Sequence, residues 1–194
     1  MKKLTALTSL TLLLIGCGGA GSGSGDLATT SLIKKVEQDL VCCAYWDEGN
    51  NTCAQYEASP TKTIVVSIKE AEVSQEFDSN NPLIFEDCKA RFIPNPNLPQ
   101  EAKEPSLIKK MNNYLYCTAT DIPPGGSGSV EITYSQSLLQ DILFPLWQKL
   151  NGKTLAYTIE AVVKYKQGDK DYTKVIRIPV DFDNFVNGEN DMCQ

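Results

Sequence analysis

Leu155-Ala-Tyr-Thr-Ile-Glu-Ala-Val-Val-Lys-Tyr165, then Gln167-Gly168-Asp169, then Tyr172-Thr-Lys-Val-Ile-Arg-Ile-Pro-Val-Asp-Phe182, decides the fold class. Leu155, Tyr157, Ile159, Ala161, Val163 and Tyr165 alternate with their neighbours along the first arm. Tyr172, Ile176, Ile178, Val180 and Phe182 alternate back along the second. Successive side chains of a strand point to opposite faces, so a period of two marks strands with one buried face. Both arms are rich in β-branched and aromatic residues and flank a glycine-containing turn, which predicts an antiparallel hairpin.

The same rhythm recurs upstream. Ile64, Val66 and Ile68 form one run, and Ile84, Cys88, Ala90 and Phe92 share one parity of the next. Leu115, Cys117 and Ala119 repeat the pattern after a loop over Pro94–Pro105, and Val130, Ile132 and Tyr134 follow a Pro-Pro-Gly-Gly-Ser-Gly-Ser loop. Between the strands, Leu139, Ile142, Leu143, Leu146, Trp147 and Leu150 fall at helical spacing, with Ser137 and Gln140 set as a capping box. Pro145 should kink or split that helix. Six strands and a crossover helix predict a mainly β domain over 61–194, an antiparallel β-sandwich. In pattern, residues 61–183 resemble immunoglobulin-like and fibronectin-type domains of bacterial surfaces. The central strand tryptophan between paired cysteines, found in antibody domains, has no counterpart.

Residues 31–60 read as a helix and a cysteine-rich loop packed on the sandwich. Leu32, Val36 and Leu40 predict a short amphipathic helix over Ser31–Val41, capped by Thr30 or Ser31. Cys42-Cys43-Ala-Tyr-Trp-Asp-Glu-Gly-Asn-Asn-Thr-Cys53 follows as a cystine-stapled loop. Tyr45, Trp46 and Tyr56 crowd it, where they either contact a protein or sugar partner or cover one edge of the sandwich. Glu48-Gly-Asn50-Asn-Thr52 fits an acidic-extended N-glycosylation sequon used by some bacteria, which makes Asn50 a candidate acceptor. Ser31-Leu-Ile-Lys-Lys recurs as Ser106-Leu-Ile-Lys-Lys, an echo without a fixed period and better read as coincidence than duplication.

At the start, Met1-Lys2-Lys3 precedes an apolar run over Leu4–Ile15 that ends in Leu14-Ile15-Gly16-Cys17. A positive start, a short apolar run and a small residue at the cut predict a signal peptide over 1–16. The run is too short to span a bilayer, which takes ~20 apolar residues. Its ending resembles the lipobox of bacterial lipoproteins. That resemblance implies lipidation of Cys17, loss of residues 1–16 and a diacylglycerol anchor. For a Gram-negative host it further implies export to the outer membrane, since Gly18 and not Asp follows Cys17. Residues 17–30, rich in Gly and Ser, then form a flexible tether.

Cysteines and charge narrow the function. Setting Cys17 aside from the seven cysteines leaves Cys42, Cys43, Cys53, Cys88, Cys117 and Cys193, an even set for an exported chain. Cys88 and Cys117 share the inward parity of their strands and should pair across the core. Cys193 should then staple the C-terminus to one of Cys42, Cys43 and Cys53. With no histidine and no Cys-x-x-Cys, the chain is a poor match to zinc sites and lacks the residues for c-type haem attachment and histidine-based nucleophilic catalysis. The oxygen-rich tail from Asp181 to Asp191 fails the EF-hand pattern and reads as a solvated loop. Gly125-Gly126-Ser-Gly128 lacks the lysine of a phosphate loop, so neither a cofactor nor a metal is expected. Losing Lys2 and Lys3 reduces the 18 basic residues to 16 against 24 acidic ones, a net charge of −8 that does not recruit nucleic acid.

Together these features predict a lipid-anchored envelope protein, not an enzyme, that binds or scaffolds an envelope protein or glycan, as an accessory subunit of an assembly. The alternatives are an enzyme, either a thiol–disulfide redox protein using Cys42 and Cys43 or a glycan-acting hydrolase using carboxylates, and a purely structural spacer.

Overall fold

The computed structural model describes residues 27–29, 34–70, 80–184 and 193. They are mainly β, in antiparallel sheets. Ten strands run in chain order among the described residues: β1 (Leu27–Thr29), β2 (Val36–Asp39), β3 (Val41–Asp47), β4 (Thr52–Ala58), β5 (Ile64–Glu70), β6 (Ile84–Pro94), β7 (Leu115–Ala119), β8 (Ser127–Tyr134), β9 (Leu155–Gln167) and β10 (Lys170–Asp183). One four-stranded sheet is ordered β1-β5-β8-β7 and a second β2-β10-β9-β6, while β3 and β4 pair only with each other. Every pairing is antiparallel except that of β2 with β10.

The predicted hairpin is β9–β10, in continuous register from Lys170 opposite Gln167 to Phe182 opposite Leu155. Its apolar parity is buried as the alternation requires, from Leu155 to Tyr165 and from Tyr172 to Phe182. Ile64, Val66 and Ile68 of β5 and Val130, Ile132 and Tyr134 of β8 join the same buried cluster. Aromatic rings knit it together: Tyr134 of the first sheet meets Phe182 of the second edge-on, with centroids 5.7 Å apart, and Phe182 also meets Phe92 and Tyr157. Such pairs add stabilisation beyond the apolar area that they bury.

Several local expectations need correction, among them the capping box, since Ser135 and not Ser137 stands at the start of the crossover helix and makes no side-chain cap. The helix predicted over Ser31–Val41 is a strand at Val36–Asp39, pairing in parallel with Val180–Asp183 (residues 31–33 lie outside the described residues). A four-residue spacing suits one helix face and equally one face of a strand, so Val36 and Leu40 did not discriminate. Gln38, between them in parity, is what fits only the strand. It is buried and fully engaged: its Oε1 accepts from the Tyr134 hydroxyl at 2.8 Å and the Lys62 N–H at 3.0 Å, and its Nε2 donates to the Asp39 and Pro60 carbonyls.

The cysteine-rich stretch after it is a hairpin, not a loop. Leu27–Thr29, assigned on composition to the tether, pairs with β5, and Leu27 is buried. Finally, a bulge between Phe85 and Asp87 reverses the parity of β6. Phe85 therefore packs on the core in edge contact with Tyr165, and Ile84 is exposed instead of sharing a face with Cys88.

The helices are short. α1 (Gln100–Lys103) and α2 (Pro105–Asn112) occupy the stretch read as a loop and the residues after it, with Pro105 at the start of α2, where its missing N–H costs nothing. Ala102 and Met111 are their fully buried residues. Ser106–Lys110 is helical, whereas Lys34 and Lys35 of the sequence echo are irregular, so the two copies differ in conformation where both are described. The predicted crossover helix is split, as Pro145 requires. α3 (Gln136–Leu138) leads into a π-helical turn (Leu139–Leu143), then α4 (Phe144–Lys149). The turn lets the Phe144 N–H reach the Leu139 carbonyl and places Pro145 in the first turn of α4.

Candidate functional site: a disulfide-stapled aromatic hairpin

Two disulfides converge on the β3–β4 hairpin. Cys43 bonds Cys53 across it, with Cα atoms 5.7 Å apart, and Cys42 bonds Cys193 with Cα atoms 5.1 Å apart. Adjacent residues of a strand point to opposite faces, so Cys42 and Cys43 reach separate partners and form no vicinal disulfide. The third bond joins Cys88 of β6 to Cys117 of β7, the pairing expected from their parity. A hydrogen bond from the Cys193 N–H to the Cys43 carbonyl at 3.0 Å reinforces the tie to the C-terminus.

The hairpin tip is built by Asp47. Its Oδ1 accepts the N–H groups of Gly49 at 2.9 Å and Asn50 at 3.2 Å, and its Oδ2 accepts from the Asn50 amide at 2.6 Å. Short Asp side chains form such turns by binding the backbone two or three residues on. The Asn50 hydrogen bonds, side chain first, hold the Asp47 carboxyl below the usual carboxylate range. Asn51 closes the turn in the left-handed region at φ 54°. Asn50, the candidate glycosylation acceptor, is exposed at this tip.

Along the arms, Cys42 and Cys43 are buried while Tyr45 is 64% and Tyr56 53% exposed. Trp46 is half-buried opposite Cys53. Irregular register from Cys43 to Trp46 re-aims the side chains of this stretch. Most of β4, including Thr52, Ala54, Gln55 and Glu57, is exposed as well. At the base lies a recess of about 170 Å³ lined by Leu40, Val41, Tyr56, Glu57, Gln140 and Phe144. The Ser59 hydroxyl, at the exit of β4, is buried without a hydrogen-bond partner among the described residues.

Two larger open depressions, of about 450 and 500 Å³, flank α1. Asn95, Asn97, Lys153 and Thr154 line the first; Glu101, Glu104, Leu107 and Lys149 line the second. No group of three metal-ligating side chains occurs among the described residues. Within the acidic tail, Asp181 pairs with Lys35 at 2.9 Å, and Asp183 accepts from Trp147, Thr154 and the Asn184 N–H. The remainder of that tail lies outside the described residues, as do Cys17 and the signal region. No described helix is long and apolar enough to cross a membrane.

Sequence reasoning singled out Tyr45, Trp46 and Tyr56 and left open whether they are covered. The structure places Tyr45 and Tyr56 in the open. Comparison of the chain with protein-family models and with curated proteins returns no match.

Proposed function

We propose that this protein is a lipid-anchored envelope binding module whose recognition element is the β3–β4 hairpin. The observation that carries the reading is the exposure of Tyr45 and Tyr56 on a hairpin fixed by two disulfides. Large aromatics held on a rigid support bury much area on contact at little cost in ordering, which is how interface anchors work. The two four-stranded sheets, sharing one core and bridged by Tyr134–Phe182 contact and the Cys88–Cys117 bond, fit a β-sandwich scaffold behind it. Lipidation of Cys17 would confine the module to the membrane plane and raise its effective concentration toward an envelope partner.

Two measurements test this. Cys17→Ala should abolish incorporation of labelled fatty acid into the protein; undiminished incorporation would contradict the anchor. The lipid-free Cys17→Ala protein should still pellet with isolated envelopes, and adding Tyr45→Ala and Tyr56→Ala should reduce the fraction that pellets. Equal pelleting with and without the tyrosines would contradict the hairpin's role.

A further inference from the structure

Glu160 is buried although its parity turns it away from the core. It lies between the buried Ile159 and Ala161 of β9, and the register sets Arg91 of β6 and Arg177 of β10 directly opposite it on either side. Its side chain is 5% exposed, while those of the two arginines are 64% and 63% exposed. The arginines therefore lie over the carboxylate with their own outer surfaces in water. Arg91 donates from Nε at 2.9 Å and Nη2 at 2.6 Å to Oε1, and Arg177 donates from Nε at 2.8 Å to Oε2.

One carboxylate cannot neutralise two guanidiniums, so the triad keeps a net positive charge in a chain of net charge −6. Along the same face, Lys89 stands opposite Val162 in the next row, and Asp87, one row further along β6, pairs with Lys89 at 3.4 Å. A guanidinium carries five N–H donors. Arg91 commits two of them and Arg177 one, and neither makes a further hydrogen bond among the described residues. Glu160 thus holds two cationic forks together, with donors left over, before any ligand arrives.

We propose that Arg91 and Arg177, clamped by Glu160, form a binding site for a phosphate group on the outer face of this sheet. Planar guanidinium forks match phosphate oxygens two at a time, and the clamp removes the ordering and like-charge cost of bringing them together. The phosphate is either free or carried by a lipid headgroup, and the test separates these sources. It does not depend on the hairpin's role.

Nε–Hε NMR signals of Arg91 and Arg177 in the full-length Cys17→Ala protein would be followed as inorganic phosphate is added. The same protein would be sedimented with vesicles of phosphatidylglycerol and of phosphatidylcholine. The site predicts saturable shifts at both arginines or binding to phosphatidylglycerol alone. Saturable shifts without vesicle binding identify free phosphate, and vesicle binding without such shifts identifies the headgroup. In either arm Arg91→Lys with Arg177→Lys, which keeps the charge and loses the forks, should weaken binding at least about tenfold. Linear shifts with no vesicle binding would overturn the proposal. If the double lysine variant is unfolded, Lys89→Gln serves in its place: it lowers the local charge and spares the forks, so affinity should fall less than about threefold. Loss of binding on that change, or undiminished binding by a folded double lysine variant, would overturn the clamp.

Discussion

Trp147 and Asp183 are joined by a hydrogen bond of 2.8 Å from the indole Nε1 to the carboxylate Oδ1. It ties α4 to the last residue of β10. The same carboxylate accepts from the Thr154 hydroxyl and the Asn184 N–H, so one side chain holds both α4 and the approach to β9. Asp183→Ala leaves these donors without their acceptor and should lower stability by about 1–3 kcal/mol, read from the denaturant midpoint.

Gly152 lies against that indole. Its φ is +73°, and an added Cβ would sit 3.3 Å from Trp147 Cζ2. Gly168, in the β9–β10 turn, has φ +59° with nothing within 4 Å. Gly168→Ala should therefore cost only the left-handed penalty of about 1–2 kcal/mol. Gly152→Ala should cost more, because strain and crowding add there. Thermal unfolding of the two variants side by side checks the order.

The three disulfides close segments of very different length, with sequence separations of 151, 29 and 10. In the chain-entropy account their removal costs about 5, 3.5 and 3 kcal/mol respectively. Paired Cys→Ala substitutions should rank Cys42–Cys193 above Cys88–Cys117 above Cys43–Cys53 in lost stability. Because Cys43–Cys53 lies within the hairpin, its loss should leave the main unfolding transition nearest to that of the unmodified protein.

Burial works to raise the Glu160 carboxyl, and the hydrogen bonds and charges of Arg91 and Arg177 more than offset it, so its pKa lies below the ordinary value. A depressed folded-state pKa contributes stability that is fully present above the unfolded value of about 4.3 and is lost as pH falls through the folded value. Glu160→Gln should therefore be destabilising at pH about 7 and progressively closer to the unmodified protein below pH about 4. A pH-independent difference would show that the ion triad contributes nothing.

What the sequence made legible follows one physical rule. Where one face is buried and the other solvated, as in β9 and β10, alternation carries the assignment, and it also carried the Cys88–Cys117 pairing. Where spacing is a multiple shared by both periods, as at Val36 and Leu40, only the burial of Gln38 against Tyr134 resolves the choice, and that partner is 96 residues away. The bulge at β6, which exposes Ile84, has no marker within the strand: no glycine or proline lies between Ile84 and Ile93. β4 was illegible for a different reason. It is exposed nearly throughout, so burial imposes no pattern on its residues. The chemistry types of the candidate site, cysteines and aromatics, were visible; the exposure of Tyr45 and Tyr56, which gives them a use, depends on strands pairing only with each other.

The most direct test of the hairpin as recognition element is site-specific photocrosslinking in living cells. A photoreactive residue would replace Tyr45 or Tyr56 in the lipidated full-length protein, with Tyr116, equally exposed on β7, as the control position. The account predicts one discrete adduct from positions 45 and 56, none from 116, and its disappearance when Cys43 and Cys53 are both changed to Ala. Adducts of the same mass and yield from all three positions, or none from the hairpin, would contradict it.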